Sequence, residues 1–201
     1  MPHSVAAAKW VGHVNGVDAP QEMRHWLTDR VSLTLKLIAH SDNFRVQRVA
    51  QRRGRCLADE FAAVGLARCA CVQERDVLLR CNATPVVFAH TIVPLTADAS
   101  DWPFFSSLGE RSLGTTLFGD PLVKRGALHY ARLPARHPLA VRARMATGTD
   151  FSGRSLFARR CLFKRKNGVL LVTEVFLPAV AELRRQASYT DHIHTYKQSI
   201  K

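Results

Sequence analysis

Two charged residues stand in apolar, strand-like segments of this 201-residue chain. Glu174 interrupts LLVTEVFLP, and Arg75 interrupts ERDVLLRC. A guanidinium can bind a carboxylate through two parallel hydrogen bonds, and a glutamate can accept hydrogen bonds or move a proton. Burying either charge without a partner would cost several kcal/mol. The pattern therefore leaves three alternatives: a structural ion pair, two solvent-exposed faces, or a pocket whose ligand supplies the partners.

Two predicted β-hairpins position these charges. A turn at Asn167 and Gly168 is the strongest short hairpin signal in the chain, and it would pair Glu174 with Cys161. Arg159 would then lie diagonally adjacent to Glu174, on the same mostly apolar face.

A turn at Asn82 and Ala83 would create the other hairpin and place Arg75 opposite His90. Alanine is a poor residue for the positive φ angles of a type I′ turn, so this turn departs from the preferred Asn-Gly or Asp-Gly sequence. Each hairpin thus carries one unlike charge on a largely apolar face.

The remaining elements are short. We expect helices over residues 21–27, after Ser32 and after Ser112, and strands over 44–51 and 123–133, with RRGR at 52–55 ending the first strand. The Arg-rich connection 134–153 has no assignment, and loops of that length are often lids or disordered.

Strands joined by hairpins predict an α+β fold, a single antiparallel sheet with helices packed against it. We expect a loose N-terminal arm over residues 1–18, one domain over 19–180 and a peripheral tail over 181–201.

The net charge of +13 favours an anionic partner, although solubility explains such a charge equally well. No secretory h-region opens the chain, and no apolar run approaches the ~20 residues of a membrane helix. The five cysteines lack zinc-ribbon spacing and are typical of reduced thiols. We therefore expect a cytoplasmic protein without a membrane span.

Four stretches together resemble the bacterial chorismate pyruvate-lyase family over about residues 26–178. They are WLTDRVSLT, ERDVLLRC with PVVFAHTIVP, LGERSLGTTLFGDP, and LFARRCLF with LLVTEVFLP. The resemblance implies a sheet of about six antiparallel strands and a lyase that needs no metal or organic cofactor. It also implies the reaction, in which chorismate gives 4-hydroxybenzoate and pyruvate as the first step of ubiquinone biosynthesis.

The resemblance also assigns site residues. It places the substrate-contacting arginine at Arg75, the glutamate at Glu174, and apolar contacts at Leu113 and Leu33. His90 stands where the family often has arginine, and a neutral histidine there would weaken anion binding or make it depend on pH.

Two other functions remain open. A non-catalytic ligand-binding module is one, because the effector domains of some transcription regulators resemble this lyase in fold. Only about 25 residues precede the matching region, which is too few for a DNA-binding domain and favours the enzyme. A nucleic-acid-binding protein is the other, but the aromatic residues fall in core-like patterns rather than among the basic clusters. We expect a monomer that binds no nucleic acid.

Overall fold

A computed structural model describes residues 7–97, 100–151 and 153–183, and six β-strands form one sheet within these ranges. The strands are β1 (Phe44–Arg55), β2 (Cys71–Cys81), β3 (Thr84–Pro94), β4 (Val123–Leu133), β5 (Leu156–Arg165) and β6 (Gly168–Phe176). The helices are α1 (Gln21–Thr28), α2 (Leu33–Ile38), α3 (Leu113–Gly119) and α4 (Pro138–Thr147), with 3₁₀ turns at Val14–Val17, Ala62–Val64 and Pro178–Glu182.

The sheet order is β1-β2-β3-β6-β5-β4, and every neighbouring pair is antiparallel. The predicted α+β class and the single antiparallel sheet are therefore confirmed. None of the helices in the described ranges is long and apolar enough to cross a membrane.

One face of the sheet, called here the cavity face, is covered by α1, α2, α3 and the segment before α3. Helix α1 buries Met23, Trp26 and Leu27, which lie three and four residues apart on one stripe. Helix α3 is capped by Ser112, whose hydroxyl accepts from the Thr115 amide, and it buries its leucines. These helices cover the cavity face but leave an open space between themselves and the sheet.

The opposite face packs against α4, inside the connection that the sequence left unassigned. Its N-cap is His137, whose Nδ1 accepts from the Leu139 amide at 3.2 Å, and Pro138 occupies the first turn. Gly148 takes a φ of 67° and ends the helix, as glycine commonly does. Half of the connection 134–153, which had no assignment from the sequence, is thus a packed helix, Pro138–Thr147.

The first hairpin turns at Asn82 and Ala83 as predicted, with φ angles of 49° and 68°. A register shift next to Leu79 then moves every later pair by one residue. Arg75 consequently faces Thr91, and the predicted pairing of Arg75 with His90 was wrong.

The second hairpin turns one residue earlier than predicted, at Lys166 and Asn167, and Arg165 pairs with Gly168. A Cβ at Gly168 would lie 2.6 Å from the Cβ of Asp101, so this glycine is needed for close packing. The predicted partner of Glu174 was therefore wrong. Because the register differs by two residues, the predicted face of each strand was still correct.

Two further expectations differ from the structure. Strand β1 continues to Arg55, because RRGR lies on an exposed sheet edge and Gly54 makes room for the Glu74 carboxylate. The loose arm predicted for residues 1–18 does not describe residues 7–18, where Val11 bridges to Tyr130 and the 3₁₀ turn buries two valines. The predicted tail lies mostly outside the described residues.

Candidate active site

A cavity lies between the cavity face of the sheet and its helical roof. Its empty space, open solvent at its mouth included, is about 660 Å³. The lining is mostly apolar, with three arginines, one glutamate, one thiol and a few hydroxyl groups. The charged lining residues are Arg75, Arg125, Arg159 and Glu174, and the apolar ones include Leu33 and Leu113.

Arg75 projects from β2 into this cavity and is 2% exposed. Its Nη2 donates to the backbone carbonyls of Gly109 and Arg111 at 2.9 and 3.1 Å, while its Nε has no partner among the described residues. Burial and the nearby positive charge of Arg48 lower the pKa of Arg75 to about 10. The guanidinium is thus fixed by the loop before α3 and keeps a donor for an anionic ligand.

Glu174 lies on β6 and lines the same cavity. Arg159 is its direct partner across the β5–β6 pair, and Arg159 Nε donates to Glu174 Oε2 at 2.5 Å. Arg159 is 1% exposed, and its Nη1 donates to the carbonyls of Trp26, Leu27 and Asp29. Arg159 therefore joins α1 to the sheet and holds the carboxylate in place, while Glu174 keeps acceptor capacity for a ligand.

The sheet geometry sets the spacing of these two groups. Arg75 lies in the same cross-strand row as Thr91 and Val172, and Glu174 follows Val172 by two residues. Two strand spacings and two residue steps place the Cα atoms of Arg75 and Glu174 about 12 Å apart. Side chains that extend toward each other over that span can hold one six-membered ring between them.

The two predicted apolar contacts also reach the cavity. Leu33 comes from the start of α2 and Leu113 from the start of α3, and both are buried. Next to them, the hydroxyls of Thr34 and Ser112 lie 2.6 Å apart and join the two helix starts. Sequence reasoning did not select Arg125, a third cavity arginine, because it stands in a strand with ordinary alternation.

His90 is the predicted site residue that the structure does not bring to the cavity. It lies on the opposite face, opposite Asp76, because of the register shift in the first hairpin. Its Nδ1 contacts Asp76 Oδ1 at 2.5 Å, and its Nε2 lies 3.3 Å from Glu60 Oε1. Burial lowers the pKa of His90, but the two carboxylates outweigh it and raise the pKa to about 10.

This buried imidazolium predicts a pH-dependent contribution to stability. Its folded pKa exceeds the unfolded value, so the contribution is complete below about pH 6.5 and is lost as the pH rises toward 10. We expect His90→Gln to cost about 3 kcal/mol of unfolding free energy at pH 6, because the buried carboxylates of Glu60 and Asp76 lose the cation that they share. The cost lies at the low end for a broken buried pair, because Arg142 Nη1 still lies 3.3 Å from Asp76 Oδ2.

Urea titrations of the wild type and His90→Gln between pH 6 and 9 would measure the difference in their unfolding free energies. This difference should become smaller as the pH rises. NMR of the wild-type imidazole gives a second measurement, with the cation expected to persist at pH 8. A neutral ring at pH 8, or a pH-independent stability difference, would contradict the assignment.

A concave, mostly apolar cavity with a few converging charged groups is typical of small-molecule sites. The C-terminal domain of the histidine utilization repressor from Pseudomonas syringae pv. tomato is similar to this chain in fold, with a TM-score of 0.52 at 11% identity. That match covers 74% of this chain and 100% of the other chain. At such low identity the likeness concerns the fold alone.

Sequence relatives are more specific. The chorismate lyase family model matches residues 6–186. A Ralstonia nicotianae protein named probable chorismate pyruvate-lyase is 47% identical over 163 residues, covering 80% of this chain and 84% of that protein. A Cupriavidus metallidurans protein of the same name is 45% identical over 172 residues, covering 85% and 80%. The chain therefore belongs to the chorismate lyase family.

Proposed function

We propose that this protein is a chorismate pyruvate-lyase, which converts chorismate to 4-hydroxybenzoate and pyruvate. The observation that carries the proposal is the pairing of a buried arginine donor with a carboxylate acceptor across one apolar cavity. Chorismate offers a matching pair, because its ring bears a carboxylate and, at the far end, a hydroxyl group.

Arg75 binds the ring carboxylate in this proposal. Its Nε is a buried donor without a partner among the described residues, so an incoming carboxylate removes an existing cost. Glu174 accepts a hydrogen bond from the ring hydroxyl through the acceptor capacity that Arg159 leaves. Fixed at both ends, the ring has one orientation in the cavity.

The reaction removes the hydrogen from the hydroxyl-bearing ring carbon and breaks the neighbouring carbon–oxygen bond. The electron pair of the broken C–H bond completes the aromatic ring, and the enolate that leaves takes up the released proton, directly or through solvent, at its methylene carbon to give pyruvate. Because aromatisation makes the step strongly downhill, orientation in a water-poor cavity is the main demand on the protein. Such orientation can contribute about 7–11 kcal/mol to the barrier decrease.

Leu33 and Leu113 provide apolar walls that keep water from the reacting ring. Glu174 acts in this scheme as a positioning acceptor, because Arg159 Nε donates to its Oε2 at 2.5 Å and fixes the direction of the side chain. The variant Glu174→Gln would distinguish this acceptor role from a role of Glu174 in proton transfer, because glutamine cannot take up a proton.

Incubation of the purified protein with chorismate tests the function directly. We expect 4-hydroxybenzoate and pyruvate in equal amounts, without added metal or cofactor. The alternative is a ligand-binding module without catalysis, favoured by the fold shared with the repressor domain. Tight binding of chorismate without product would support that module and exclude the enzyme.

The basic surface predicts electrostatic steering of the dianionic substrate. The chain carries +13, and several arginines of β1 are exposed, including Arg48 and Arg53. We expect kcat/KM to fall severalfold as the ionic strength rises from 0.01 to 0.5 M, with kcat nearly constant. A kcat/KM that does not depend on salt would exclude steering.

The pathway and setting form part of the same proposal. We infer that the enzyme supplies 4-hydroxybenzoate for ubiquinone biosynthesis, works in the cytoplasm as a monomer and binds no nucleic acid. Trp26, Trp102 and Phe105 are buried, which supports the last point because bases need exposed rings for stacking. Size-exclusion chromatography with light scattering would determine the oligomeric state.

A further inference from the structure

The cavity holds a second arginine with an unused donor. Among the described residues, two guanidinium nitrogens are buried without a hydrogen-bond partner, Arg75 Nε and Arg125 Nε, and both residues line the cavity. The proposed roles of Arg75 and Glu174 leave Arg125 without a function. An unpartnered charged donor is costly to keep unless a ligand uses it.

Arg125 is held in position from two sides. Its Nη1 donates to the carbonyl of Arg30, in the loop between α1 and α2, and its guanidinium carbon lies 5.2 Å from the ring centre of Phe118. The register shift in β4 immediately after Arg125 redirects the strand, as bulges commonly do near functional sites. These contacts fix the guanidinium in the lining of the cavity.

Arg159, the remaining arginine of the cavity, is not available for a ligand in the same way. Arg159 uses Nε for Glu174 and Nη1 for three backbone carbonyls. Arg75 and Arg125 instead stand on strands β2 and β4, four strand spacings or about 19 Å apart between backbones. Two long side chains can bridge that width with a small dicarboxylate between them.

The formal charges agree with such a ligand. Three guanidinium groups and one carboxylate line the cavity, which gives two net positive charges for a dianion. Arg75 Nε and Arg125 Nε are the two buried guanidinium nitrogens without a hydrogen-bond partner among the described residues. A monocarboxylate would satisfy only one of them.

Building on the proposed function, we propose that Arg125 binds the second carboxylate of the substrate, the one on the enolpyruvyl group. It thereby distinguishes the substrate from the aromatic product, which has lost that carboxylate. Arg75 contacts a group that substrate and product share, whereas Arg125 contacts a group that only the substrate carries. Arg125 therefore favours substrate binding without strengthening the hold on the aromatic product.

The test compares two ligands across three variants. We expect Arg125→Met to lower kcat/KM for chorismate about 10- to 100-fold, as expected for losing a hydrogen bond between charged groups. The Kd of 4-hydroxybenzoate, measured by calorimetry, should change less than threefold. Arg125→Lys keeps the positive charge but lacks the planar guanidinium, so its kcat/KM should lie between the values of the wild type and Arg125→Met. Lys124→Met removes one exposed charge from the same strand and serves as the matched control.

The outcomes for the Arg125 and Lys124 variants test the role of Arg125, and turnover by the wild type tests the proposed function. An unchanged kcat/KM in Arg125→Met, or an equal loss of affinity for 4-hydroxybenzoate, would overturn the role of Arg125. A similar loss in Lys124→Met would also overturn it, because net charge alone would then explain the effect. Absence of turnover in the wild type would instead refute the proposed function, and this inference would fall with it.

Discussion

Arg75→Met is expected to lower kcat/KM for chorismate about a thousandfold while leaving the protein folded. The variant removes the Arg75 Nε donor and with it the buried cation that the ring carboxylate would face. Truncating one partner of a buried, hydrogen-bonded charge pair costs about 2–5 kcal/mol, and every 1.4 kcal/mol corresponds to a factor of ten. Steady-state kinetics of the purified variant give this value.

The same substitution should be nearly neutral for stability. The folded pKa of Arg75 is about 10, below its ordinary value, so the buried charge costs stability at neutral pH and less as the pH rises past 10. Methionine removes that cost and loses two hydrogen bonds to backbone carbonyls. We expect an unfolding free energy at pH 7 within about 1 kcal/mol of wild type, or above it.

Affinity for 4-hydroxybenzoate provides the control for this prediction. Arg75→Met should weaken product binding strongly, in contrast to Arg125→Met, because the product keeps the ring carboxylate. If Arg75→Met were active, or lost activity only through unfolding, Arg75 would be a structural residue. The proposed orientation of the ring would then be wrong.

Substitution of Glu174 should affect both activity and stability, because this residue faces the ligand and also partners a buried charge. We expect Glu174→Leu to lower kcat/KM at least a hundredfold. It should also cost about 2–3 kcal/mol of unfolding free energy, somewhat below the range for a fully buried pair because the Glu174 side chain is 19% exposed. The loss arises because Arg159, 1% exposed, keeps its charge without the carboxylate.

A double-mutant cycle separates the two effects. Adding Arg159→Met to Glu174→Leu should restore most of the stability, since an apolar pair can replace a buried ion pair. Activity should stay low, because the acceptor for the ring hydroxyl is still missing. Recovery of activity in the double variant would show that Glu174 serves the fold alone.

Glu174→Gln then distinguishes orientation from proton transfer. Glutamine keeps the size of the side chain and one acceptor, but it cannot take a proton. An acceptor role predicts a loss of about tenfold, whereas loss of a general base typically costs 10²- to 10⁴-fold. The pH profile of kcat/KM for this variant is a second test: a general base at Glu174 predicts the loss of one ionisation from the profile, whereas an acceptor role leaves the profile unchanged.

Local sequence patterns predicted the sheet and the faces of its strands, because alternation of apolar and polar residues sets the side on which a residue lies. Glu174 and Arg75 both reached the cavity for this reason. In the second hairpin the turn was misplaced, yet the error of two residues left Glu174 on the predicted face.

His90 shows what such patterns miss. A single bulge after Leu79 shifted the first hairpin by one residue, and His90 moved from the predicted site to the opposite face. Bulges depend on packing between strands rather than on residue type alone. The helix α4 was missed for a different reason, since Pro138 and Gly148 did mark its ends but its arginine-rich composition suggested a loop.

A crystal structure with bound 4-hydroxybenzoate would show whether Arg75 and Glu174 hold the two ends of the ring. We expect the carboxylate of the ligand within hydrogen-bond distance of Arg75 Nε, its hydroxyl on Glu174, and its ring between Leu33 and Leu113. A ligand bound elsewhere, or one in the cavity with its carboxylate away from Arg75, would refute the proposed site.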